Sequence, residues 1–133
     1  MATPFLTDLT REQIAEKTRQ RLTFIIRDDQ NPPVPIPGAN LDFVKLTLYD
    51  EKTGDIINTR DEVDVLALPD LTVDVNGKAI MLFAPADNVL VGTAPVPSQE
   101  VHVAHFDYQW DTDPLKVGRH LVRLQVVNLL KTT

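Results

Sequence analysis

The stretch Leu71-Thr-Val-Asp-Val-Asn-Gly-Lys-Ala-Ile-Met-Leu-Phe83 limits the possible folds more than any other part of the chain. Two runs of alternating side chains flank Asn76-Gly77, a dipeptide that suits a two-residue hairpin turn because both residues tolerate positive φ. With those two residues as the turn, Val75 faces Lys78, Val73 faces Ile80 and Leu71 faces Leu82. That register places apolar side chains on one face of both strands. The chain is therefore expected to be a β-protein.

Strand signals recur at short intervals on either side of this hairpin. Phe43–Tyr49 alternates, with Val44, Leu46 and Leu48 on one face. Asp50-Glu-Lys-Thr-Gly-Asp55 reads as a turn, and short runs over Ile56–Thr59 and Val63–Ala67 follow. Ala84–Asn88 is another turn, and Val89–Val91 is a short run before Pro95 and Pro97. Two long strands close the chain. One face of Val101–Trp110 reads Ala104, Phe106, Tyr108 and Trp110; one face of Arg119–Leu130 reads Val122, Leu124 and Val126. About seven to nine strands with turns every 8–12 residues is the spacing of an antiparallel sandwich. The expected core is Val44, Leu46, Leu48, Val73, Ile80, Leu82, Phe106, Tyr108, Val122, Leu124 and Val126.

The N-terminus reads differently. Thr10 with Gln13 three residues later is a capping-box pattern, and Arg11–Gln20 contains good helix formers and no Gly or Pro. The expectation is one N-terminal α-helix with a narrow apolar stripe, Ile14, Ala15, Thr18 and Leu22, and with Glu16 pairing to Arg19 or Gln20. Residues 1–22 then form an arm with a helix and residues 23–133 a β-sandwich domain. Between them and the next strand, Asp28–Asn40 carries four prolines, Pro32, Pro33, Pro35 and Pro37, which exclude a helix or a central strand and leave a polyproline-like crossing.

Composition removes several classes of function. There is no cysteine, so disulfides, thiol catalysis and Cys-ligated zinc are excluded. A net charge of −6 argues against general nucleic-acid binding, with Lys17, Arg19 and Arg21 as a local basic patch. No apolar run approaches the roughly 20 residues of a spanning helix. The first residues lack a basic segment followed by an apolar one, so no secretory signal is expected, and Ala2 does not fit myristoylation.

No catalytic or cofactor motif emerges. The single serine, Ser98, has no nucleophile-elbow context, and the five glycines form no phosphate loop. His102 and His105 are three apart on a strand and point to opposite faces. His120 adds a second imidazole to either one across the last hairpin, which is too few ligands for zinc. The acidic pairs in Asp28-Asp29, Asp61–Asp64 and Asp111–Asp113 match no calcium loop and are explained by turn formation. The stripe of Phe106, Tyr108 and Trp110 reads either as a sugar-stacking platform or as the centre of a core, and burial tendencies favour the core. No enzyme, metal or cofactor is expected.

Taken together, Val44–Asp55, Asn76–Phe83, Pro85-Ala-Asp87 and Gly118–Val126 resemble an immunoglobulin-like sandwich of tailed-phage virion proteins, with a layout similar to the N-terminal domain of upper baseplate proteins. The resemblance covers about residues 43–127 and rests on strand and turn motifs. It implies a non-enzymatic structural part of a phage particle, from capsid, neck or tail, assembled in the host cytoplasm. Its implied partners are other virion proteins, in an oligomer within a larger assembly, without nucleic acid or membrane. A carbohydrate- or ligand-binding sandwich is the alternative. The residues expected to make the contacts are Phe5, Leu6, Leu9 and Ile14 in the arm and Pro33, Pro35 and Pro37 in the crossing. The arm has too few apolar residues to form a core with its helix, and a polyproline segment loses little entropy on docking.

Overall fold

The structure is a computed structural model that describes residues 5–15, 18–30, 32–68, 70–90 and 99–127; of residues 11–13 and 15 only the backbone is described. Among the described residues eight strands are arranged in two sheets: β1 (Phe5–Ala15), β2 (Gln20–Ile25), β3 (Leu41–Asp50), β4 (Val63–Asp64), β5 (Leu71–Val73), β6 (Lys78–Phe83), β7 (Gln99–Trp110) and β8 (Val117–Val127). The larger sheet has the order β1-β8-β7-β3-β4 and the smaller β2-β6-β5. Glu16, Lys17, Ser98, Pro95, Pro97 and the last residues of the expected final strand lie outside the described residues.

One apolar core joins the two sheets. Leu22 and Phe24 of β2 and Ala79, Met81 and Phe83 of β6 meet Val44, Leu46, Phe106, Val122 and Leu124 of the larger sheet. The Phe24 and Phe106 rings, one from each sheet, sit 4.7 Å apart. Alternation works as expected in β3, β7 and β8, because each presents one face to the core and one outward. Phe106, Tyr108 and Trp110 are all buried with Ala104.

The N-terminal helix is not formed. Phe5–Ala15 is instead a strand that pairs parallel with β8, from Phe5 opposite His120 to Ala15 opposite Val127, with a register shift between Leu9 and Gln13. The other strand pairings are antiparallel. Helix propensity in Arg11–Gln20 is worth a few tenths of a kcal/mol per residue and supplies no broad apolar face. Pairing with β8 supplies a ladder of backbone hydrogen bonds and a place for Leu9 and Ile14 against the core, so tertiary contact overrides propensity. Thr10 does not close a capping box either: its N–H and Oγ1 both donate to Asp8 Oδ1, at 3.0 and 2.7 Å. Asp8 also accepts from Arg123 Nη1 at 2.8 Å, directly across the β1–β8 pair. Strand β2 runs through the expected boundary at residue 22, and Leu22 is 2% exposed.

The Asn-Gly hairpin forms, but one residue out of the expected register. Val73 lies opposite Ala79 and Leu71 opposite Met81. The loop has three residues, Val75, Asn76 and Gly77, and Gly77 takes the left-handed conformation at φ 75°. Asp74 explains the difference. Its Oδ1 accepts from Asn76 N–H at 2.8 Å and Lys78 N–H at 2.9 Å, building the turn from one residue earlier. A turn ending in a left-handed glycine closes such three-residue loops. The one-residue slip sends Ala79, Met81 and Phe83 inward; Leu82 is 54% exposed and Ile80 half-buried, while Val73 packs at the margin of the core. Two further short runs are not strands: Ile56–Thr59 makes a single bridge from Ile56 to Tyr49, and Val89-Leu90 is irregular.

His120 marks the seam where β1 closes the larger sheet. It is 4% exposed, its ring lies 4.6 Å from Phe24, and Nε2 is 2.8 Å from Thr7 Oγ1. Burial, with the nearby Arg27 charge, pushes its imidazole down to about 4. The folded state therefore favours the neutral ring. Stability from this residue is complete above the unfolded value near 6.5 and is lost as pH falls from there toward 4. The expected loss is about 3 kcal/mol, since one pKa unit corresponds to about 1.4 kcal/mol. Urea midpoints of the natural chain should fall between pH 7 and pH 4.5, and those of His120→Asn should fall much less. Equal slopes for both proteins would refute the assignment.

Candidate partner-binding surfaces

Three connections gather at one end of the molecule: the proline-rich crossing between β2 and β3, the β5–β6 hairpin tip and the β7–β8 turn. The crossing is not an extended polyproline rod. It folds back on β2, with Ile36 N–H donating to Ile26 O and Asp28 N–H to Val34 O, both at 2.8 Å. Ile36 is 3% exposed and anchors it in the core. Asp28 holds the bend, its Oδ1 accepting from Gln30 N–H and Val34 N–H and its Oδ2 from Gln30 Nε2. This is why the acidic pair Asp28-Asp29 stands there: the first aspartate is a structural acceptor.

The other two loops are tied to the crossing through main chain. Ile26 N–H donates to Gly77 O at 2.9 Å and Gly38 N–H to Asp74 O at 2.9 Å. Gly38 sits so close to Val73 that a Cβ there would come within 2.1 Å of the Val73 carbonyl oxygen. On the other side Asp111 N–H donates to Asn40 O at 2.9 Å. Asp111 and Thr112 both take positive φ, 57° and 50°, and Asp42 holds this tight turn by accepting from Thr112 N–H at 2.9 Å. The three loops thus form one cross-braced platform.

The platform displays apolar side chains that its own core does not use. Val75 is 79% exposed, Leu115 85% and Val34 44%. In the crossing itself Pro33 and Pro35 are exposed, and Pro37 is half-buried. Between the crossing and the β7–β8 turn lies a groove of about 310 Å³, lined among others by Asp29, Pro35, Pro37, Trp110, Asp111 and Lys116. Trp110 itself is 6% exposed, so the aromatic stripe of β7 presents no face for stacking a sugar ring.

The N-terminal residues named from sequence have different surroundings. Ile14 is buried, Leu9 packs against the core, and the half-buried Phe5 ring stacks 6.2 Å from His120. Leu6 points outward at 59% exposure. Val34, Val75 and Leu115 escaped the sequence reading because each sits beside turn-forming residues, and exposure at a loop tip has no periodic signature. Val75 in particular was placed in a strand by the assumed register.

The histidines fall as the strand period requires. His102 faces the interior and His105 the outside, where its Nε2 lies 3.0 Å from Asp107. Among the described residues no helix is long and apolar enough to cross a membrane. Comparison with models of protein families, with curated proteins and with solved structures finds nothing that matches this chain.

Proposed function

We propose that this chain is a non-enzymatic structural component of a tailed-phage particle, an immunoglobulin-like domain that works through protein–protein contacts within an oligomeric assembly. The observation that carries the contact role is the braced loop platform. Contiguous exposed apolar patches mark contact sites, and three exposed apolar side chains, Val34, Val75 and Leu115, stand on the loops of this one platform. Here Val75 and Leu115 are presented by turns whose backbones are fixed by hydrogen bonds to the crossing. Such pre-ordering lowers the entropic cost of docking.

The strand order supports the immunoglobulin-like reading. With β2, β5 and β6 as strands B, D and E, and β3, β7 and β8 as C, F and G, the sheets read B-E-D and G-F-C. In that layout β4 extends the second sheet beyond C, and β1 adds to it alongside G. The phage setting is supported by the sequence resemblance over about residues 43–127 and by the absence of any catalytic constellation in the sequence motifs. Assembly in the host cytoplasm into the virion follows from the same reading.

Double substitution Val75→Asp and Leu115→Asp tests the contact role. Both side chains are solvent-exposed, so the thermal midpoint should stay within a degree or two of the natural chain. Incorporation into particles, measured by quantitative mass spectrometry of purified virions, should drop at least tenfold. Normal incorporation of the folded variant would exclude this surface, and absence of the natural chain from purified particles would exclude the virion role.

A further inference from the structure

Asp50, Glu100 and His102 converge at the opposite end of the sandwich from the three tied loops. Asp50 is the last residue of β3 and lies opposite His102 in the β3–β7 register. Glu100 precedes His102 by two residues on β7, so the two share a face. His102 Nε2 is 2.8 Å from Glu100 Oε1 and 3.9 Å from Asp50 Oδ1, and one donor atom from each residue lies within 4.8 Å of the others. The side chains are nearly closed to water, at 4% exposure for Asp50, 13% for Glu100 and 1% for His102. Asp50 is held in place by Thr53 N–H, which donates to Oδ2 at 2.9 Å and leaves Oδ1 on the histidine side.

The imidazole does not complete this cluster by itself. Nε2 makes its hydrogen bond with Glu100 and stands beyond hydrogen-bond distance of Asp50. The second ring nitrogen, Nδ1, is buried with no hydrogen-bond partner. What points to an ion is the other nitrogen: Nε2 is aimed between two carboxylates in a nearly closed site, the arrangement of a mixed nitrogen and oxygen ligand set. One imidazole nitrogen and two carboxylate oxygens make a donor set that suits a divalent transition-metal ion. Ligands about 2.1 Å from a metal ion stand about 3.0–3.4 Å apart in octahedral or tetrahedral geometry. The observed 2.8 and 3.9 Å bracket that spacing.

We propose that Asp50 Oδ1, Glu100 Oε1 and His102 Nε2 bind one divalent transition-metal ion of the zinc class. The imidazole nitrogen distinguishes this site from calcium and magnesium sites, which are built of oxygen. Three protein ligands leave the remaining coordination to water, and the ion cross-links β3 to β7 at the end of the sheet. Binding moves the ring proton from Nε2 to Nδ1, with no proton released. The sequence showed half of this: Glu100-x-His102 on one strand face was readable, but Asp50 joins only through the β3–β7 register.

Titration of the chelator-treated full chain with ZnCl₂ tests the site by calorimetry, together with nitrogen-15 NMR of labelled histidine. Expected are one ion per chain at micromolar affinity, a thermal midpoint raised by several degrees and the His102 proton moving from Nε2 to Nδ1. Asp50→Asn, Glu100→Gln and His102→Gln should each weaken binding at least tenfold, whereas His105→Gln, on the outer face, should not. Absence of one-to-one uptake at 1 mM ZnCl₂, or an Nε2 proton retained at saturation, would overturn the proposal. The tautomer readout uses the natural chain, so it decides even if a variant fails to fold. Equal affinity for CaCl₂ would overturn the assignment to a transition metal.

Discussion

Replacing Asp87 with alanine is expected to destabilise the protein by about 3–5 kcal/mol, the range for breaking a buried ion pair and stranding its partner. Asp87 is 1% exposed and Arg60 8%. The guanidinium grips the carboxylate with two bonds, Nε to Oδ1 at 2.9 Å and Nη2 to Oδ2 at 3.1 Å. Asn58 Nδ2 donates to Oδ1 at 2.8 Å and Ala84 N–H to Oδ2 at 2.8 Å. Arg60 Nη1 reaches on to Asp70 Oδ2 at 2.9 Å. This network fixes the irregular segment after β3, where Asn58, Thr59 and Glu62 hold positive φ, to the turns flanking β5 and β6. Its removal leaves the buried guanidinium with Asp70 alone and frees a strained loop at once.

The same carboxylate gives the network a pH signature. Burial alone would raise Asp87, but the bonds from Arg60, Asn58 and Ala84 outweigh it and hold the group below its ordinary value near 3.8. The charged form is the one the fold favours. Its contribution is complete above the unfolded value and is lost as pH falls through the lowered folded value, so it adds an acid transition below about pH 3.8. Equilibrium denaturation in urea at pH 7 measures the first effect, and Asp87→Asn should remove the acid step. A loss below 1 kcal/mol for Asp87→Ala would show that the bidentate pair is not formed.

The second large effect concerns strand β6. Met81→Lys should cost about 4 kcal/mol or more, or abolish folding, because it buries an unpaired ammonium at a fully enclosed position. Leu82→Lys, one residue on, should change stability by no more than about 0.5 kcal/mol, since Leu82 is 54% exposed. A two-residue Asn-Gly turn would reverse the order, with Leu82 inside and Met81 outside. Thermal or urea denaturation of the two variants therefore reads the hairpin register directly.

How far the chain could be read in advance depended on whether local pattern and tertiary contact agreed. In β3, β7 and β8 they agree: Leu46, Phe106 and Leu124 alternate in sequence and are buried in the core. The hairpin was legible as a hairpin, but its register turned on Asp74, whose carboxylate captures two backbone N–H groups and lengthens the loop. The N-terminus misled because helix propensity is local, whereas its partner, β8, lies more than a hundred residues away. Pro35 and Pro37 pointed to a segment without α-helix or central strand, which is what this crossing is. What the prolines could not show is that Ile36 plugs the core and that the turns carrying Val75 and Leu115 are bonded to the same crossing. Proximity of loops distant in sequence is a property of topology alone.

Hydrogen exchange measured by mass spectrometry on the free chain and on purified particles tests the proposed contact role most directly. In the free chain, amides of β1 bonded to β8 should already be protected, because that segment belongs to its own sheet. On assembly, new protection should appear in residues 28–37, 74–77 and 111–116. New protection confined to residues 5–15, with the three loops unchanged, would return the contact role to the N-terminal segment and contradict the platform.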